Sequence, residues 1–251
     1  MTKQTKIIGL VGGVGPYAGL DLNTKIFDYT KTNGSDQDHL EVYLLSRSAD
    51  IKDRSAFLKN EISENPAEGI FRTIQKLISI GSVVIGIPCN TAHSPSIFNQ
   101  VLRKMADYPG IELCHMINET KSYLASHFPN AKKIGLLATE GTYLSSVYSD
   151  ILEKDSDLTV LLPDSDKARQ RVHDAIYHPQ YGIKAFSNPI KKEAINILQQ
   201  EATQLIKKGV DVIILGCTEL PLALSQEKID DILLIDPTSI LAKALIKRAY
   251  T

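Results

Sequence analysis

Short apolar runs alternate with stretches of helical period along the chain, and glycine or proline marks most of the changes. Residues 7–11 are apolar and stop at Gly12-Gly13-Val14-Gly15-Pro16, the pattern of a buried strand feeding a glycine turn. A helix is predicted over 20–29 and a strand over 40–46. Over 66–80 the spacing turns helical, with Ile70, Ile74, Leu77 and Ile78 on one face. The β-branched run 83–87 lies between Gly81 and Pro88. It is too short for another helix and reads as a buried parallel strand. The second half continues alike: strand 133–138, helix 143–152, strand 158–162, a long amphipathic helix over 190–207 and a buried strand over 210–215. A last strand, 232–235, leads through Asp236-Pro237-Thr238 into a helix over 239–248. Strand and helix in alternation predict parallel sheets covered on both faces.

Two of these segments repeat. Lys6-Ile7-Ile8-Gly9-Leu10-Val11 resembles Lys133-Ile134-Gly135-Leu136-Leu137 with Ile8 set over Ile134, an offset of 126 (134 minus 8). The segment from Gly81 to Cys89 resembles that from Gly209 to Cys217, an offset of 128 (217 minus 89). Two matches at nearly one offset predict two like α/β halves. The first is expected to be 1–116 plus 226–251, with the last strand and helix packed back on it, and the second 117–225.

Charge and composition remove several classes. Lys plus Arg number 28 and Asp plus Glu 29, with 43% hydrophobic residues, which fits neither a disordered chain nor a nucleic-acid binder. No apolar run approaches the length of about 18 residues that a membrane helix needs. The segment Met1-Thr2-Lys3-Gln4-Thr5-Lys6 does not fit a signal peptide, and three widely spaced cysteines do not make a disulfide scaffold. A cytoplasmic protein with free thiols is expected.

Two of the thiols are well placed for chemistry. Cys89 and Cys217 each follow a predicted strand directly, and in open parallel sheets ligands bind beyond the carboxyl ends of strands. Small polar residues follow both, Asn90-Thr91 and Thr218-Glu219. A helix starting there would offer free N–H groups and lower the thiol pKa. A cysteine at a strand end often merely packs, and Cys114, without a counterpart, is read that way. Two thiols at matching positions of a repeat have a more specific use. Set on opposite sides of one carbon, one takes its proton and the other returns a proton to the opposite face, which inverts a stereocentre without a cofactor. Gly12 and Gly13 let backbone approach a small substrate.

The segments Gly12-Gly13-Val14-Gly15-Pro16, Pro88-Cys89-Asn90-Thr91-Ala92-His93 and Leu215-Gly216-Cys217-Thr218-Glu219-Leu220-Pro221-Leu222 resemble the cofactor-independent aspartate/glutamate racemase superfamily, most closely its aspartate racemase branch. Asp53-Arg54-Ser55 and Ala138-Thr139-Glu140-Gly141-Thr142 add to the likeness. The resemblance implies two pseudo-symmetric Rossmann-like α/β domains with the active site in the interdomain cleft, a homodimer, and neither cofactor nor metal. It implies reversible racemisation of aspartate, with Cys89 acting on the D-enantiomer and Cys217 on the L-enantiomer. Arg54 would bind a carboxylate, Lys184 the side-chain carboxylate, and Asn90, Thr91, Thr139 and Thr218 the α-carboxylate or ammonium. Gly13 would lie against the substrate, and Arg47, His93 and Glu219 are supporting candidates.

Some positions depart from the pattern. Arg47 adds a cation that either strengthens acidic-substrate binding or faces solvent. His178-Pro179-Gln180-Tyr181-Gly182 looks inserted before Lys184. Gly12-Gly13 and Glu219 stand where glutamate racemases carry an Asp-Ser pair and a histidine, which favours aspartate. Racemisation of glutamate or of a broader set of amino acids remains an alternative, as does isomerisation or decarboxylation of another diacid. A non-enzymatic acidic-amino-acid binding protein would use the same cleft without needing two thiols. Zinc held by Cys89, His93, Cys217 and Glu219 is a weaker reading, because zinc ligands usually pair at closer spacing. The glycine turn lacks full G-x-G-x-x-G spacing for a dinucleotide, and no lysine stands out for pyridoxal.

Overall fold

A computed structural model describes residues 5–251. The reading of the first residues as free of a signal peptide falls largely outside that range. The elements are β1 (Ile8–Gly12), α1 (Pro16–Tyr29), β2 (Val42–Ser46), α2 (Arg54–Leu58), α3 (Ala67–Ser79), β3 (Val84–Gly86), α4 (Pro95–Met105), β4 (Glu112–Leu113) and α5 (Met116–His127). They continue with β5 (Lys133–Ala138), α6 (Glu140–Leu144), α7 (Val147–Leu152), β6 (Thr159–Leu161), α8 (Asp166–Tyr177), α9 (Lys192–Lys207), β7 (Val212–Gly216), α10 (Leu220–Ala223), β8 (Lys228–Ile229), β9 (Ile232–Ile235) and α11 (Pro237–Ala249).

The chain divides into two compact units, one running through Glu119 and including Thr238–Thr251, the other Thr120–Pro237. The first holds a parallel sheet in the order β2-β1-β3-β4. The second holds β6-β5-β7-β9-β8, parallel except for the edge strand β8. The repeat read from sequence is a repeat of register. Ile8 pairs with Val42 and Val84, and Ile134 pairs with Val160 and Val212. Both units are thus α/β halves of one strand order.

Burial explains why the runs form strands. β1, β3 and β7 are buried at every position, as expected of parallel strands covered on two faces. Ile70, Ile74 and Leu77 of α3 join Val11, Ile85 and Ile87 in one core. Leu198, Ala202 and Leu205 of α9 join Leu137, Ile213 and Leu215 in the other.

Two expectations need correction. The last strand does not return to the first half: β9 pairs with β7, so the second unit extends past 225, and only α11 goes back. Gly86 makes that return possible, since a Cβ there would lie 2.7 Å from Leu245 Cδ1. The single helix expected over 143–152 is two, because Ser146 adopts φ 51 between α6 and α7. Helices α4, α5 and α8 were not anticipated. α8 buries only Ala168, Val172, Ala175 and Ile176, a stripe in which two alanines dilute the apolar signal. No helix among the described residues is long and apolar enough to cross a membrane.

Candidate active site

In the first unit the turn after β1 is built on Gly13, at φ +84. A Cβ there would lie 2.5 Å from Ser48 N and 2.6 Å from Arg47 N. The glycine therefore lets two loops close on each other. Arg54 opens α2, which Asp53 caps by accepting from Ala56 N at 2.8 Å. The Arg54 side chain is buried and gives hydrogen bonds to the carbonyls of Val14 and Lys52. It ties the β1 turn to α2, so part of its donor set serves the protein itself. Arg47 is ion-paired with Asp50 three residues on, which settles its surroundings as a local pair in a short 3₁₀ turn.

Cys89 lies just past β3, buried, ahead of a 3₁₀ turn over Asn90–His93. Asn90 and Thr91 are buried with it. Its carbonyl accepts from His93 Nδ1 at 2.8 Å, and since a carbonyl can only accept, the imidazole proton sits on Nδ1. The His93 ring stacks on Phe98 (centroids 5.0 Å) and meets His115 edge-on (4.7 Å). Burial, with His115 beside it, pushes the His93 pKa down to about 3. His93 is thus a neutral core residue that pins the Cys89 backbone, and supplies no positive charge to the thiol.

In the second unit Thr139 ends β5 and caps α6, its Oγ1 accepting from Thr142 N at 3.3 Å. Cys217 ends β7 and is buried. Its Sγ donates to Glu219 Oε2 at 3.0 Å, and Thr218 Oγ1 donates to the same oxygen at 3.2 Å. Lys184 Nζ donates to the other oxygen, Oε1, at 2.7 Å. The lowered thiol pKa expected at this helix start does not hold for Cys217. Burial and the Glu219 carboxylate push it well above the ordinary value. The resting group is a thiol.

Lys184 arrives by way of the inserted segment. Ile183 N and Lys184 N bond to the carbonyls of Ala175 and Ile176, and Gly182 N to that of His178, so the insertion folds back on the end of α8. The lysine also lies over the Tyr177 ring, 5.1 Å from its centroid. Tyr177 was not singled out from the sequence, and an unrecognised α8 hid the spacing that places it there. The structure thus joins Lys184, Thr218 and Glu219 to Cys217 within one unit, and in the other sets Gly13 against Arg47 and bonds Arg54 to Val14. Asn90, Thr91 and His93 flank Cys89. The zinc reading finds no support in the donor set: no group of three or more His, Cys, Asp or Glu among the described residues could hold a metal ion.

Known proteins share this fold. Residues 11–245 match the model of the Asp/Glu/Hydantoin racemase family. The solved structure of Picrophilus torridus aspartate racemase is 31% identical, with a TM-score of 0.80 over 97% of this chain and 94% of that one. The broad specificity amino-acid racemase of Bacillus subtilis is 25% identical over 246 residues, 96% of either chain. Glutamate racemase of Lactiplantibacillus plantarum is 30% identical over 162 residues, 62% of this chain and 53% of that one. The chain belongs to the Asp/Glu/Hydantoin racemase family and is an enzyme of the PLP-independent isomerase class.

Proposed function

We propose that the protein racemises L- and D-aspartate by a two-base mechanism in which Cys89 and Cys217 act from opposite faces of the α-carbon. The observation that carries this is a thiol at the end of the matching strand in each half of a register-repeated fold, in a chain 31% identical to an aspartate racemase. Cys217 takes the α-proton of the L-enantiomer and Cys89 protonates the other face, with the roles exchanged for the D-enantiomer. Lys184 meets the side-chain carboxylate as a point charge. The Arg54 guanidinium binds the second carboxylate, a group its planar fork matches. Gly13, Asn90, Thr91, Thr139 and Thr218 would orient the substrate through short polar contacts, and Arg47 keeps the loop beside Gly13 in place. On the family resemblance the working form is a homodimer, which light scattering of the purified chain would test.

The test is α-proton exchange. Purified protein is incubated in D₂O with L-Asp, D-Asp, L-Glu and D-Glu, without added cofactor, and followed by NMR and chiral chromatography. Exchange with inversion on aspartate is expected. Inertness toward all four would remove the acidic-amino-acid assignment. A second reading is favoured by the full-length likeness to the broad specificity racemase. Under it, neutral amino acids racemise at rates comparable with aspartate.

A further inference from the structure

Cys217 and Glu219 are two acidic groups joined by one proton. The thiol donates to Oε2, and the Lys184 ammonium is in direct contact with the opposite oxygen. A cation at that place stabilises negative charge on the carboxylate more than on the sulfur, because the attraction falls with distance and is poorly screened in a buried site. The shared proton is therefore held on sulfur. With the cation withdrawn, the carboxylate loses more than the thiolate does, and the proton shifts toward oxygen. The pair titrates as a unit, so its outer partner decides where the proton rests. Lys184 is the member able to move: its side chain is a quarter exposed, whereas that of Glu219 is 5% exposed.

We propose that the Lys184–Glu219 ion pair is a substrate-operated switch on Cys217, opened when a substrate carboxylate draws the lysine away from Glu219. This deepens the racemase reading and rests on it. On opening, the Cys217 S–H bond breaks and an O–H bond forms on Glu219. The thiolate then takes the α-proton of the L-substrate, and the electron pair of the C–H bond stays on the substrate until the Cys89 thiol protonates the other face. Product release lets Lys184 return to Glu219, whose proton leaves to solvent while the Cys89 thiolate regains one from it. An amino acid without a second carboxylate leaves the pair closed and the thiol protonated. Discrimination would thus arise in the activation of the base as well as in binding.

The test uses the full-length protein without substrate. Iodoacetamide labelling of Cys217 is followed peptide by peptide at neutral pH, with buried Cys114 as an internal monitor of folding. Loss of a cation beside a thiol ordinarily raises its pKa and slows alkylation. The switch predicts the opposite for Lys184→Met, labelling faster by about ten-fold through a larger thiolate fraction. The double variant Lys184→Met/Glu219→Gln should fall back to the wild-type rate or below, and Lys184→Arg should stay within about two-fold of wild type because it keeps the ion pair. Labelling of Lys184→Met at or below the wild-type rate overturns the proposal. Should Cys114 label together with Cys217, Glu219→Gln decides instead through deuterium wash-in. Loss confined to L-aspartate, with D-aspartate still exchanging without inversion, supports the switch, and equal loss on both enantiomers overturns it. A wild type inert toward every acidic amino acid, with Lys184→Met labelling accelerated, would remove the substrate assigned above while keeping the coupling of Lys184 to the thiol.

Discussion

The Cys217 sulfur stands 3.0 Å from the Glu219 carboxylate and donates its proton to it. That relationship makes the resting Cys217 an acid, whereas the proposed removal of the α-proton from an L-substrate requires its conjugate base. Burial and Glu219 both raise its pKa. Because the switch passes that proton to Glu219 rather than to solvent, the kcat/KM for α-deuterium exchange from L-aspartate should show no climb toward the usual thiol pKa of about 8.5. A climb through that value would show that Cys217 must lose its proton to solvent before substrate binds, against transfer to Glu219.

Substitution of either strand-end thiol should separate chemistry from folding. Cys89→Ala and Cys217→Ala are each expected to lower racemisation by about 10³-fold, the scale of a positioned acid or base. Urea midpoints should move little, since a small buried side chain becomes a slightly smaller one. Racemisation within about ten-fold of wild type in either variant would contradict the two-base assignment.

The buried, edge-on imidazoles of His93 and His115 predict an acid-labile first unit. Burial lowers His93 to about 3 and His115 to about 4. Both folded values lie below the unfolded value of about 6.5, so the unfolded chain binds more protons in between. The stability these groups retain as neutral rings is complete above pH 6.5 and is lost as pH falls toward 4. Each contributes a slope of up to about 1.4 kcal/mol per pH unit. Urea melts at pH 7 and pH 5 measure it, and His93→Phe/His115→Phe should flatten the difference. An unchanged slope in that variant would place the acid sensitivity elsewhere.

Gly13→Ala is expected to destabilise the protein by about 2 kcal/mol or more. The residue sits at φ +84, and the added methyl would meet the Arg47–Ser48 backbone, which cannot rotate aside as a side chain can. Denaturant melts would show it, together with a rise in KM for aspartate as the turn carrying Val14 shifts against Arg54, which is bonded to it. A neutral effect on both would mean that the loop opens freely.

The strands and the two thiols at their ends were legible because both are local features. A β-branched run too short for a helix and closed by glycine or proline reads as a short buried strand, which puts the residue after it at the sheet's carboxyl edge. The offset between Ile8 and Ile134 reported a repeat because the same register demands the same spacing of apolar residues. Helix α4 was equally local, since Ile97, Phe98, Val101 and Met105 fall on one face, and the reading passed over it. α8 was not, for its buried face is half alanine.

The sequence by itself determined two α/β halves, cysteines just past matching strands and a family of enzymes. Tertiary structure alone decided which sheet received β9, since Leu233, Leu234 and Ile235 would suit either sheet until β7 took them. It decided that Arg54 spends donors on Val14 and Lys52, and that His93 turns inward to Phe98. Above all it decided that Lys184 meets Glu219 across 35 positions of chain. Local pattern fixes what a residue can do for its own strand or helix. Which charge stands next to which thiol depends on loops whose course is set by packing between elements far apart in sequence.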